Sequence, residues 1–154
     1  MKNCKGCEFI HQRIPGDAPF WGSIYRTSYW DIAHSYDTAL PDWLVLVARC
    51  HITAVRDLND TEAVELGYLI HRTSVALKEV TGCDKTYLIQ LAETADHPHV
   101  HFHIIPRMAD QPENRHSTQM FGYLGVPEDE RVYREAMNAI ATKVREWLHA
   151  YEIA

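Results

Sequence analysis

The run His99-Val100-His101-Phe102-His103-Ile104-Ile105-Pro106-Arg107 constrains this chain more than any other stretch. Side chains alternate between the two faces of a strand, so a strand over 99–105 sets His99, His101 and His103 on one face and Val100, Phe102 and Ile104 on the other. Pro106 then ends the ladder. A strand whose polar face merely met water would more readily carry Thr, Lys or Glu. Three readings follow: an exposed strand with incidental histidines, a metal centre built from imidazoles, or covalent phosphoryl chemistry on a neutral, nucleophilic ring.

The rest of the chain supplies a frame for such a strand. Residues 12–23 are rich in Pro and Gly and read as a loop. Segments 23–27 and 29–34 have the aromatic and β-branched content of a hairpin. The run 43–48 is apolar on both faces, as expected in the middle of a sheet, and His51 lies just past it. A helix is expected over 61–80, capped by Asp60 or Thr61 and stopped by Gly82. A strand follows at 86–91. Residues 107–126 read as an irregular, partly mobile loop, and a last helix as running from about 128 to 151. Connections too short for parallel crossovers favour an α+β fold: an antiparallel β-sheet of about five strands with two main α-helices on one face.

At 154 residues and 46% hydrophobic content, one domain over 1–154 is expected. With 21 acidic against 15 basic residues the net charge is -6, which argues against a protein held on nucleic acid by phosphate neutralisation. No apolar run has signal-peptide or membrane-spanning length, so a cytoplasmic protein without a membrane partner is expected. Cys4 and Cys7 have metal-ligand spacing; Cys50 and Cys83 read as core thiols, and all four as reduced.

The stretch 99–107 resembles the signature of the histidine triad (HIT) proteins. The segment 43–52 followed by Asp57-Leu58 resembles that family's upstream strand, and with the cysteine pair the similarity spans about 4–107. The resemblance implies a HIT-like core and a hydrolase or transferase that acts at the α-phosphate of a nucleoside phosphoramidate or dinucleoside polyphosphate. His101 would be the nucleophile, His103 would contact phosphate oxygens, and His51 and His99 would support the site. A backbone carbonyl could hold the His101 tautomer. The resemblance further implies a structural zinc on Cys4, Cys7, His51 and His99, no organic cofactor, a purine nucleotide or conjugate as ligand, and a homodimer.

The chain departs from the family before the triad. Thr94-Ala95-Asp96-His97-Pro98 stands where a Gly-Gln-Ser/Thr type segment is usual, and an anionic Asp96 there would repel a phosphate unless turned away. Gln90 or Thr94 could supply the missing polar contact, and Arg107 could reach a phosphate. His97, ahead of Pro98, reads as a loop residue. This departure also admits a non-catalytic nucleotide-binding module, and the histidines and cysteines together admit a zinc protein without turnover.

Overall fold

The computed structural model describes residues 4–13 and 20–152. Half of the loop expected over 12–23, residues 14–19, lies outside the described residues. Five strands form one sheet: β1 (Tyr25–Arg26), β2 (Trp30–His34), β3 (Leu44–Ala48), β4 (Lys85–Ile89) and β5 (His101–Arg107), in the order β1-β2-β3-β5-β4. Every neighbouring pair is antiparallel. The hairpin and the central placement of β3 match the sequence reading.

Alternation along the strands gives the sheet two different faces. Trp30, Ile32, Leu44, Leu46, Phe102 and Ile104 belong to one core that α2 (Asp60–Thr81) and α3 (Arg134–Ala150) cover with Leu66, Leu69, Leu77, Ile140 and Val144. The register places Val45 opposite His103 and Val47 opposite His101, so these four share the other face. Sequence parity therefore sorts the apolar side chains under the helices and leaves the histidines on the side away from them.

Several boundaries differ from those read in the sequence. The cap of α2 is Asn59: its side chain accepts the Glu62 N–H while the Glu62 carboxylate accepts the Asn59 N–H, both at 2.9 Å. This reciprocal pair satisfies two N–H groups that Asp60 or Thr61 could not reach together. Gly82 ends the helix at φ 73°, as expected of a left-handed cap. Pro106 does not end β5. Pairing with β3 stops at Ile104, and Pro106 sits opposite Thr86 on β4 alone, where a missing N–H is tolerated as on an edge. At the other end, the His99 N–H donates to the His97 carbonyl at 2.8 Å, so His99 lies just ahead of the strand.

The segment 107–126 is ordered into a single 3-10 turn at Glu113–Arg115 and a 3-10 helix of about two turns at Ser117–Tyr123. Met120 is fully buried and packs with Leu40, Trp43 and Ile105, covering the end of the histidine face. Its apolar residues are too sparse to show a period, which is why the sequence reads as loop. Pro127 and Glu128 open a separate short turn, Glu128–Glu130, and α3 begins only at Arg134. A third helix, α1 (Lys5–Gln12), was not expected. Cys83 is buried as expected, but Cys50 is exposed: β3 ends at Ala48, so no sheet covers it, and its thiol meets Glu62 at 3.3 Å. No described helix is long and apolar enough to cross a membrane.

Candidate active site

On the histidine face, α1, the β2–β3 turn and the loop before β5 enclose a cavity of about 680 Å³. That volume falls within the roughly 300–1,000 Å³ usual for small-molecule sites. His97, His99, His101 and His103 all line it.

Each ring of the triad is held by a different partner. His101 Nδ1–H donates to the His99 carbonyl at 2.7 Å, which leaves the lone pair on Nε2. For His103 the polarity is reversed. Trp43 Nε1–H donates to His103 Nδ1 at 2.9 Å, so a neutral His103 carries its proton on Nε2. Burial pushes the His103 pKa down to about 3, with the neighbouring His101 adding to the effect, so the neutral form holds at pH 7. The two rings meet edge to face with centroids 4.9 Å apart. The pair thus offers a lone pair beside an N–H donor, which suits attack on an electrophile that carries a negative oxygen.

Trp43 reads in the sequence as ordinary packing. Its odd-numbered position, two residues before Val45, put it in line with His103, and this parity was the available signal. His97 is a loop residue, as expected, yet its ring turns into the cavity. It shares a 3.3 Å hydrogen bond with the Tyr36 hydroxyl and lies 6.3 Å from the His101 ring.

The remaining candidates divide by position. Thr94 lines the cavity, and Gln90 is not among its lining residues. Arg107 lies at the far end of β5, paired with Asp84 at 3.0 Å, away from the cavity. Asp96 is at the cavity rim, but its carboxylate is 2.6 Å from Lys5 Nζ. The Lys5 ammonium holds the Asp96 carboxyl below the usual range, and Asp96 in turn raises Lys5. The charge that would repel a phosphate is thereby turned toward α1 and neutralised locally.

Behind the cavity, the donor atoms of Cys4, Cys7, His51 and His99 lie within 4.8 Å of one another. Cys4 Sγ and Cys7 Sγ are each 3.5 Å from His99 Nδ1, and Cys7 Sγ is 3.2 Å from His51 Nδ1. Bond lengths of ~2.3 Å to sulfur and ~2.0–2.1 Å to nitrogen in a tetrahedron imply sulfur–nitrogen edges of about 3.5 Å. His99 Nε2–H donates to the Ala48 carbonyl at 2.6 Å, which leaves Nδ1 free as a ligand, as metal-binding imidazoles require. The donor set fits zinc. Gly6 makes the approach of α1 possible, since a Cβ there would lie 2.8 Å from His99 Cγ.

The same burial has a consequence for stability. His34 is held at a pKa of about 4 and His103 at about 3, both by burial, below the ordinary histidine value near 6.5. The unfolded chain binds more protons in that interval, so the stabilisation is complete above about pH 6.5 and is lost as the pH falls toward the folded values. Two histidines give a slope of at most roughly 2.7 kcal/mol per pH unit. Urea midpoints should fall between about pH 6.5 and about pH 4; in His34→Gln the fall should be shallower, and a flat profile would contradict the burial argument.

No protein-family model matches the chain, and no curated protein matches it. Solved structures do. A Hit-like protein involved in cell-cycle regulation from Bartonella henselae superposes with a TM-score of 0.71 at 19% identity, covering 96% of this chain and 98% of that one. The chain has the histidine triad fold. The diadenosine triphosphate hydrolase of Plasmodium falciparum shares this fold at a TM-score of 0.66 and 14% identity, with 96% of each chain covered. A zinc-bound histidine triad family protein from Mycobacterium smegmatis gives 0.59 at 16%, covering 93% of this chain and 96% of that one.

Proposed function

We propose that this histidine triad chain is a nucleotide hydrolase or transferase that attacks the α-phosphate through His101. The observation that carries the reading is the Nδ1–H bond from His101 to the His99 carbonyl, which directs an unprotonated Nε2 away from the backbone. His101 Nε2 forms a bond to phosphorus while the bond from phosphorus to the leaving group breaks, and the electron pair departs with the leaving group. His103 Nε2–H donates to a non-bridging phosphate oxygen as charge gathers there. Water or another acceptor then displaces His101 from phosphorus and restores the lone pair. The structural neighbour that is a diadenosine triphosphate hydrolase supports a phosphoric anhydride as one substrate, and a phosphoramidate is the other.

Cys4, Cys7, His51 and His99 would hold zinc, which when bound supplies a structural cross-link. His99 would then join the metal to the strand that carries the nucleophile. The reading in which every triad histidine serves a metal is disfavoured, because the only grouping among the described residues takes His51 and His99 and omits His101 and His103. A purine nucleotide or conjugate as ligand and a homodimer complete the proposal.

The test is quenched single-turnover reaction of the wild type with a dinucleoside triphosphate, read by intact mass. A nucleotidyl adduct stable to base and lost in acid, as a phosphorus–nitrogen bond should be, is the expected result. Turnover with no adduct at any quench time would overturn covalent catalysis.

A further inference from the structure

Three cationic side chains other than histidine line the cavity: Lys5, Arg13 and Arg131. Lys5 is engaged by a carboxylate, with Nζ 2.6 Å from Asp96. Arg13, buried at 7% exposure, has Nη1 3.9 Å from the fully buried Asp31, an ion pair without a hydrogen bond, because Arg26 already grips both oxygens of Asp31 at 2.6 and 2.7 Å. Arg131 differs. Its Nε–H donates to the Val126 carbonyl at 3.1 Å and its Cζ lies 5.9 Å from the centre of the Tyr36 ring, with no salt bridge to a described residue. Asp37, the acidic residue beside Tyr36 on the cavity wall, instead accepts from the Ser35 hydroxyl at 3.3 Å.

This anchoring matters because a guanidinium tethered through Nε and seated on an aromatic face loses little further freedom when its outer nitrogens grip an anion. Those outer nitrogens are Nη1 and Nη2, the edge suited to bidentate contact with a phosphate. The wall between Arg131 and the nucleophile is continuous. His97 lies 6.3 Å from His101, Tyr36 lies 6.3 Å from His97, and Arg131 sits over Tyr36. A ligand with its α-phosphorus at His101 and a chain of phosphates running along that wall would meet its remaining charge at Arg131.

We propose that Arg131 reads negative charge on the leaving group, so that the site favours nucleotides with phosphates beyond the α-position over those whose leaving group is a neutral amine. The proposal rests on His101 as the attacking residue. In the displacement the His101–phosphorus bond forms and the bridging oxygen–phosphorus bond breaks, and its electron pair remains on the departing phosphate oxygen. Arg131 stabilises the phosphate that departs; an amine leaving group offers it nothing to hold.

The experiment compares kcat/KM for a dinucleoside triphosphate with kcat/KM for a nucleoside phosphoramidate in wild type, Arg131→Gln and Arg131→Lys. Loss of a charge-assisted hydrogen bond should lower the ratio of the two values by roughly 10- to 150-fold in Arg131→Gln. Arg131→Lys should recover part of it. Calorimetry with inorganic tripolyphosphate supplies a readout without turnover: wild type should bind it, and Arg131→Gln should bind it at least about tenfold more weakly. An unchanged ratio, or equal affinity for tripolyphosphate in both proteins, would overturn the role of Arg131. If wild type turns over neither nucleotide, the reading of His101 fails instead, and tripolyphosphate binding still decides for or against Arg131.

Discussion

His101→Asn should reduce nucleotidyl transfer by at least about a thousandfold while the protein stays folded, the scale of loss seen when a covalent nucleophile is removed. The variant is chosen for what it keeps. The Asn amide is close to imidazole in reach and can donate to the His99 carbonyl as Nδ1–H does, so the turn ahead of β5 should survive. What it lacks is a nitrogen with a basic lone pair facing the cavity. Steady-state rates on a phosphoramidate and a dinucleoside triphosphate, read beside thermal melts, test this directly. Equal turnover by wild type and variant would remove His101 from the chemistry. A loss of rate with a fall in melting temperature of many degrees would assign His101 to packing instead.

A smaller companion effect should follow at Trp43, which the His101 experiment leaves untouched. Without the indole donor, the His103 proton could sit on either ring nitrogen, and the donor that faces the cavity would be present only part of the time. The two rings of the site are thus set by two unrelated groups, a main-chain carbonyl from the turn ahead of β5 and an indole just before β3.

This division explains what was legible in the sequence. The unbroken apolar run 43–48 marks a central strand, and alternation along 99–105 is a strong local signal, because successive side chains of a strand point to opposite faces with a period of two. It placed His101 and His103 together and put the core residues under α2 and α3. The features that escaped depend on positions distant in sequence. The helix α1 spans only eight residues, with Gly6 as its buried position, so the sequence offers too short a window for a helical period to be read even though the helix closes the cavity. Gln90 and Arg107 were attractive for their chemistry alone; Gln90 is not on the cavity wall, and a strand that continues through Pro106 carries Arg107 beyond it. The cavity contact of His97 depends on Tyr36, 61 positions earlier, which no local pattern encodes. Arg131 reaches the site only because the segment after Tyr123 folds back on the β2–β3 turn, where the Val132 N–H donates to the Thr38 carbonyl at 2.9 Å.

Removing the thiols of Cys4 and Cys7 should have the second large effect, on stability rather than on the chemical step. The four donor atoms come from the start of α1 (Cys4 at its cap and Cys7), from His51 three residues past β3 and from His99 in the turn before β5, so a bound ion would tie three otherwise separate segments together. A ligand at about a thousand times its dissociation constant stabilises the folded state by roughly 4 kcal/mol. For a chain of this size each kcal/mol moves the melting temperature by about 2–4 °C, so Cys4→Ser with Cys7→Ser should melt roughly 8–16 °C lower. Elemental analysis should find one zinc per chain in the wild type and none in the double variant. Gly6→Ala separates metal from thiol chemistry. Both thiols remain, but the added Cβ would press on His99 and hold α1 off the site, so zinc content should fall although no ligand is missing. Nucleotide affinity should weaken in both variants, because Lys5, Gly6 and Phe9 form part of the cavity wall. Wild-type protein that is purified reduced and zinc-replete yet carries no metal, and whose melting temperature ignores a chelator, would show that the four residues pack against one another as ordinary side chains and that α1 is held by its own contacts.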